Sequence, residues 1–158
     1  MGRDISDSLL KSFGGNIEGA VLFGSTARRE RRPESDIDIL VFARGEDRSQ
    51  RDLRVYLALK PVRVKYRLDT TVVALDLEEV RDITPSLMNV AHDGIVLLDL
   101  HGKVEDLLGR IREAVRKAGL VRHRVKGAYG WKPERLLKPG EVVTVELMPS
   151  ELPRRGRV

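Results

Sequence analysis

One stretch of the chain decides its fold: it reads GSTARRERRPESDIDILV and spans residues 24–41. The apolar run 17–23 precedes it and predicts a buried strand, after which a Gly-Ser pair opens a helix predicted over 25–32. The run 36–43 alternates at first and is then wholly apolar, which is typical of a central strand covered on both faces. The stretch therefore predicts a strand, a helix and a second buried strand.

Gly24 and Ser25 have the features of a phosphate-binding turn. Glycine allows a close backbone approach that a Cβ would block, and Ser25 offers a hydroxyl and an amide at the start of a helix. Free amide groups and the helix dipole favour phosphate at such a position. The same pair also fits an ordinary helix cap, so Gly-Ser alone leaves both interpretations open.

Asp36 and Asp38 are separated by one residue at the start of the central strand. Side chains two apart on a strand share a face, so both carboxylates project together while Ile37 and Ile39 enter the core. Such a pair can bridge one or two divalent ions that activate an attacking oxygen and stabilise a leaving pyrophosphate. The alternative is a solvent-facing edge strand. The apolar run that follows favours a central strand, where paired like charges need a cation.

Asp69 is the candidate third carboxylate. It precedes TTVVAL on a separate β-rich segment. If that strand lies beside 36–43, Asp69 completes the cluster as a base or a third ligand. A strand-capping role fits the pattern equally well. Asp76 is a competing candidate, although it is better placed to cap a helix that starts at Leu77.

The rest of the chain supplies further helices and strands around this centre. Apolar spacing and breakers predict helices over 4–13, 49–60 (ended by Pro61), 76–92 (interrupted near Pro85) and 103–118. They predict one long or two short strands over 62–75 and further strands over 95–100 and 141–147. This order predicts an α/β (α+β) fold, a mixed β-sheet flanked by helices. We expect one domain over 1–118 and a C-terminal extension containing several Gly and Pro over 119–158.

The composition limits the kind of site and the location. The sequence has no Cys, which excludes disulfides and thiolate metal sites, and its three His are widely spread. Oxygen ligands favour a hard ion such as Mg²⁺. No apolar run approaches the roughly 20 residues that span a membrane, and no signal-peptide pattern is present, so we expect a cytoplasmic protein. Scarce Asn and Gln beside abundant Arg, Lys and Glu are typical of proteins from hot environments.

The joined pattern resembles the signature of the polymerase-β-type nucleotidyltransferase superfamily. That signature has Gly-Ser near a helix start, Asp-x-Asp on the next strand and a third acidic residue on a later strand. Residues 24–28 followed by 35–38 are similar to the small prokaryotic branch known as minimal nucleotidyltransferases. The resemblance extends more loosely through 68–80 and 89–99, and it covers about residues 17–100.

This resemblance implies an activity and a role for each motif residue. The family transfers a nucleoside monophosphate, here expected to be AMP from ATP, to a protein or small-molecule acceptor and releases pyrophosphate. The implied catalytic and Mg²⁺-binding residues, with two ions expected, are Asp36, Asp38 and Asp69. The implied nucleotide-binding residues are Gly24, Ser25, Arg28 and Ser35. Arg28 fits an exposed helical cation equally well.

The resemblance also implies a partner. The minimal branch often acts beside a helical protein of the HEPN type, as an antitoxin that modifies the partner with AMP. We therefore expect residues 1–118 to form a nucleotidyltransferase domain that binds a nucleotide and such a partner. This arrangement is compatible with an oligomeric protein.

The basic C-terminal extension is not explained by the resemblance. Residues 119–158 carry nine Lys or Arg against four Glu, whereas 1–118 carries twenty of each sign. Tyr129 and Trp131 lie among these cations, so residues 120–135 are a candidate for stacking on RNA or DNA bases. The alternative, which the modest excess of charge favours, is a loop that packs its aromatic rings on the body. A nucleic-acid-interacting enzyme or binding module is therefore the second functional hypothesis, and a catalytically silent scaffold is the third.

Overall fold

A four-stranded sheet lies at the centre of the computed structural model, which describes residues 1–45 and 47–153. Its strands are β1 Ile17–Phe23, β2 Ile37–Ala43, β3 Thr70–Leu75 and β4 Ile95–Asp99. They lie in the order β3-β2-β1-β4. β2 is parallel to β3, whereas β1 is antiparallel to both β2 and β4. The predicted mixed sheet is confirmed, and β2 is an interior strand as expected.

Helices pack on both faces of this sheet. Their bounds are α1 Gly2–Phe13, α2 Gly24–Ala27, α3 Arg48–Ala58, α4 Lys60–Tyr66, α5 Pro85–Asp93 and α6 Lys103–Lys117. After α6 the chain forms a separate antiparallel hairpin of β5 Leu120–Val125 and β6 Ala128–Pro133. Among the helices that the structure describes, none is long and apolar enough to cross a membrane.

Alternate side chains of β2 enter two separate apolar layers. Ile39 and Val41 pack on one face in a cluster that includes residues of α1, α3 and α4. Leu40 and Phe42 pack on the other face in a cluster that includes residues of α5 and α6. All four side chains are at most 2% exposed. Because both faces of β2 are covered beyond Asp38, residues 39–43 have no polar alternation, and this explains the wholly apolar run there.

The segment 62–75 forms neither the one long strand nor the two short strands that were predicted. Its first part belongs to helix α4, and only Thr70–Leu75 is a strand. The β-branched residues Val62 and Val64 favoured a strand, but Pro61 suits the first turn of a helix because its missing N–H is not needed there. Pro61 therefore begins a helix and does not end one. α4 stops where Arg67 adopts a left-handed conformation with φ 52°.

Two other predicted helices are shorter than expected. The helix predicted over 25–32 ends after one turn at Ala27, and Arg29 takes a positive φ of 59° that a helix does not continue through. The helix predicted over 76–92 is divided into a 3₁₀ turn, Leu77–Glu79, and helix α5, which starts at Pro85. Asp76 caps the 3₁₀ turn that starts at Leu77, as predicted. Its carboxylate accepts a hydrogen bond from the Glu78 amide at 2.9 Å.

Residues 141–147 have no regular secondary structure, so the strand predicted there is wrong. The apolar residues that suggested it pack on the body instead, because Val145 and Leu147 lie against the α5–α6 layer. Arg110 of α6 donates a hydrogen bond to the Met148 carbonyl at 2.9 Å. This part of the extension is therefore held on the body by side-chain packing and by isolated hydrogen bonds, without a sheet.

The β5–β6 hairpin is an element that the sequence analysis missed. Its strands are joined by Lys126 and Gly127, which have positive φ angles of 49° and 82°. Two successive positive φ angles match the twist of paired strands, which is why two-residue hairpin loops so often contain glycine. The detectable signal was therefore two short segments of high β-propensity on either side of a glycine-containing pair.

We predict that Gly19→Ala destabilises the fold by about 1–3 kcal/mol, because it overpacks strand β1. An ideal Cβ at this position would overlap Val104 Cγ2 and lie 2.5 Å from the Leu98 carbonyl oxygen. Chemical denaturation measures the change, and Gly15→Ala is the matched control because no atom lies within 4 Å of its added Cβ. Equal stability of the two variants would contradict this description of the β1 packing.

Candidate active site

The turn between β1 and α2 lies directly against Asp38. Phe23, the last residue of β1, is paired with Asp38 on β2. Gly24 follows with a φ of 69°, and an ideal Cβ at this position would overlap the Asp38 carboxylate. Glycine is required here for two reasons: its backbone conformation disfavours side chains, and the adjacent carboxylate fills the space. The Gly-Ser turn and the Asp-x-Asp strand therefore form one site.

Asp36 and Asp38 form a pair of interacting carboxylates at the start of β2. Ile37 lies between them and is 1% exposed, so the strand points its apolar residue inwards as predicted. Burial raises the pKa of Asp38 above its ordinary value, the nearby charge of Asp36 raises it further, and Arg28 lowers it in part. Asp36 is also bound by Thr71 of β3, whose hydroxyl donates to Asp36 Oδ2 at 3.2 Å.

Asp69 directly precedes β3, and its backbone lies next to the start of β2, but its carboxylate has other contacts. The Ile37 amide donates to the Asp69 carbonyl at 3.0 Å, which joins the start of β2 to the residue before β3. The Asp69 side chain is 60% exposed, accepts a hydrogen bond from the Thr70 amide at 2.8 Å and lies 4.0 Å from Arg63 Nε. Within residues 1–45 and 47–153, no three acidic or histidine side chains are grouped closely enough to hold a metal ion.

The charge of Arg28 acts on Asp38, and the Arg28 side chain is held by acidic neighbours. Its Nε donates to Glu30 Oε2 at 3.1 Å, and its Nη1 lies 3.6 Å from Asp93 Oδ2. Only 21% of its side chain is exposed. The description of Arg28 as an exposed helical cation therefore does not apply.

The two serines of the motif lie in turns. The Ser25 carbonyl accepts a hydrogen bond from the Glu30 amide at 2.8 Å, which closes the turn after α2. The Ser35 hydroxyl accepts from the Arg32 amide at 3.2 Å and so shapes the approach to β2. Because α2 is a single turn, its helix dipole is weaker than the sequence analysis expected.

The missed hairpin contributes the aromatic residue Tyr129 to this neighbourhood. The guanidinium carbon of Arg28 lies 4.6 Å from the centre of the Tyr129 ring, and that of Arg122 lies 3.9 Å from it. The Tyr129 hydroxyl donates to Glu30 Oε1 at 2.9 Å. Burial, the largest single influence, raises the pKa of Asp93, but the hydrogen bonds and charge of Arg122, together with the charges of His92 and Arg28, outweigh it and hold that pKa below its ordinary value.

Trp131 packs on the body two residues further along β6. Its indole N–H donates to Asn89 Oδ1 at 3.0 Å, and its ring meets His92 edge-on at a centroid distance of 5.6 Å. Both aromatic residues of the extension therefore have contacts within the protein, as the favoured interpretation of the sequence expected.

A mixed sheet that carries a carboxylate pair beside a glycine turn defines a nucleotidyltransferase type of site. The profile of the family described as Polymerase beta, Nucleotidyltransferase matches residues 6–101, and the chain belongs to this family. The predicted family is confirmed, and the protein is a nucleotidyltransferase. No curated protein matches the chain.

Solved structures of toxin–antitoxin complexes share the fold. A toxin-antitoxin with AMP-PNP superposes with a TM-score of 0.56 at 18% identity, over 73% of this chain and 86% of the other. A mutant of the toxin-antitoxin MntA-HpeT gives a TM-score of 0.54 at 19% identity, over 74% and 87% of the two chains. A second mutant of that complex gives a TM-score of 0.51 at 19% identity and the same coverage. At these identities the likeness establishes the fold.

We predict that Asp38→Asn raises the melting temperature of the protein in EDTA at neutral pH. The pKa of Asp38 is raised in the folded state, so ionising this carboxyl weakens the fold as pH rises through that pKa. Asparagine carries no such charge. The gain should therefore shrink as pH falls, and it should vanish below the ordinary value of 3.8, where aspartate becomes protonated in both the folded and the unfolded state. The exposed Asp82→Asn is the control, and a lower melting temperature for Asp38→Asn at neutral pH would contradict the prediction.

Proposed function

We propose that the protein transfers AMP from ATP to a hydroxyl group of a partner protein, with Mg²⁺ as its metal ion. The observation that carries this proposal is the juxtaposition of Gly24, Asp36 and Asp38 at one end of the sheet. Two adjacent carboxylates, one of them with a raised pKa, favour a bound cation, and a donor set of oxygen atoms suits Mg²⁺. Family membership supplies the reaction class.

Each motif residue has a defined task in this proposal. Asp36 and Asp38 hold the divalent ion, which supplies charge neutralisation for the triphosphate and the leaving pyrophosphate. Gly24 and Ser25 offer the turn that takes the phosphates, and Arg28 adds positive charge beside them. Ser35 shapes the turn that leads to the carboxylates. The acceptor oxygen bonds to the α-phosphorus, the bond from this phosphorus to the bridging oxygen of pyrophosphate breaks, and the acceptor proton passes to a base.

We propose Asp69 as that base or as a ligand for a second ion. Its backbone is fixed next to β2, and its side chain is more than half exposed, so rotation about its side-chain bonds is open to it. Either role requires the carboxylate to exchange its contacts with Thr70 and Arg63 for contacts in the site. Removal of a general base typically lowers a rate by about 10² to 10⁴-fold.

A helical protein of the HEPN type is the proposed acceptor, with the chain acting as its antitoxin in the cytoplasm. This proposal draws on the sequence resemblance to the minimal branch and on a shared fold with solved toxin-antitoxin complexes, one of which contains AMP-PNP. In this arrangement residues 1–118 form the catalytic domain and 119–158 form an extension, whose described residues include a hairpin and a segment that pack against this domain.

Nucleic-acid binding through residues 120–135 is the less favoured proposal. Tyr129 stacks with Arg28 and Arg122, and Trp131 binds Asn89, so both rings have partners within the protein. Strongly salt-dependent binding of RNA or DNA that is lost in an Arg124→Gln/Lys126→Gln/Lys132→Gln variant would favour this second function.

We predict that Asp36→Asn and Asp38→Asn each lower AMP transfer on the order of a hundredfold or more, because each removes a charge that holds the ion. The assay supplies Mg²⁺ and ATP labelled on the α-phosphate to the protein and a HEPN-type partner from the same source. A parallel reaction uses ATP labelled on the γ-phosphate. Wild-type protein should label the acceptor only from the α-phosphate.

The exposed Asp82→Asn is the matched control and should transfer AMP at the wild-type rate. An acceptor labelled from the γ-phosphate would show that the protein transfers a phosphoryl group and not a nucleotidyl group. Undiminished transfer by both carboxylate variants would overturn the assignment of Asp36 and Asp38.

A further inference from the structure

The β5–β6 hairpin lies outside the part of the chain that matches the family, yet it contacts the family motif. The family profile ends at residue 101, and the hairpin begins at Leu120. Tyr129 of β6 nevertheless meets Arg28, which follows the Gly-Ser turn. This contact joins an element outside the family match with a residue of the candidate nucleotide site.

Arg28 is held on several sides at once. Glu30 and Asp93 approach its nitrogens at 3.1 Å and 3.6 Å, and the Tyr129 ring lies 4.6 Å from its guanidinium carbon. A free arginine side chain populates many rotamers, and ordering it during ligand binding costs conformational entropy. These three contacts hold the planar guanidinium of Arg28 in one orientation.

Tyr129 is itself fixed by groups that belong to the same network. Its hydroxyl donates to Glu30, and Arg122 stacks on its ring at 3.9 Å. Arg122 in turn pairs with Asp93 through both of its terminal nitrogens, one of them at 2.5 Å. Tyr129 therefore connects the two acidic partners of Arg28 into a closed ring of contacts.

The network keeps a positive charge beside the carboxylates. Glu30 and Asp93 offset two of the three arginines that surround the Tyr129 ring, Arg28, Arg122 and Arg124, so one positive charge remains. Arg28 is near enough to Asp38 to lower its pKa in part. The phosphates of a triphosphate bound at Gly24 would meet this excess charge.

We infer that Tyr129 is a positioning residue for nucleotide binding: it holds Arg28 in the orientation that contacts the triphosphate. This inference rests on the proposed function of Arg28. Under this inference the hairpin contributes to nucleotide binding. Stacking on the bases of a nucleic acid would not require a contact between Tyr129 and Arg28. Because Tyr129 acts through Arg28, removing either side chain should remove the same part of the binding energy.

The test measures binding of AMP-PNP with Mg²⁺ and of adenosine by calorimetry. Tyr129→Leu and Arg28→Ala should each weaken AMP-PNP binding about tenfold, the loss typical of one hydrogen bond to a charged group. Adenosine binding should stay unchanged because adenosine lacks phosphates. The double variant should bind AMP-PNP no more weakly than either single variant, since the two side chains act as one unit.

Two further variants separate positioning from general hairpin packing. Tyr129→Phe keeps the ring over Arg28 and should retain most of the affinity. Trp131→Leu removes the other aromatic residue of the same strand, which contacts Asn89 and His92, and should bind AMP-PNP as wild type does. An equal loss in Trp131→Leu, or additive losses in the double variant, would overturn the inference.

Arg28→Lys keeps the test decisive if Tyr129→Leu does not fold. Lysine retains the charge but lacks the planar group that stacks on Tyr129, so AMP-PNP binding should again fall several-fold. Wild-type affinity in Arg28→Lys would overturn the inference. If the variants show this binding pattern but the wild-type protein does not transfer AMP, the proposed function is refuted and the inference about Tyr129 stands.

Discussion

The repulsion between Asp36 and Asp38 is the constraint on which the site depends. The two carboxylates stand at the start of an interior strand, and Asp38 is close against a turn that only glycine fits. Burying like charges is unfavourable unless a cation or hydrogen bonds offset them. The Thr71 hydroxyl and the positive charge of Arg28 offset this repulsion only in part, so a bound metal ion would complete the balance.

The central part of the fold could be predicted from the sequence because its signals are local and consistent. The strands 17–23 and 36–43 were found within one residue because their apolar runs lack the helical period. The segment 61–75 misled the prediction because β-branched residues and a proline are each compatible with two structures. In the structure the first part of this segment is a helix, and Val62 of that helix packs into the core.

The candidate site was predictable only where backbone geometry fixes it. The positions of Gly24, Asp36 and Asp38 follow from the periodicity of β2 and from its pairing with a neighbouring strand. The sequence was enough to infer these positions. The contacts of the Asp69 carboxylate depend on Arg63, which comes from a helix that the sequence analysis did not predict. The contact between Tyr129 and Arg28 joins residues about 100 positions apart in sequence, and no local pattern encodes such a distance.

The most direct measurement is a crystal structure of the protein with AMP-PNP and Mn²⁺, an ion that replaces Mg²⁺ and gives an anomalous signal. We predict an anomalous peak within about 2.0–2.3 Å of carboxylate oxygens from both Asp36 and Asp38, with the triphosphate beside the Gly24-Ser25 turn. An ion bound away from this carboxylate pair, or a triphosphate bound elsewhere on the protein, would contradict the account.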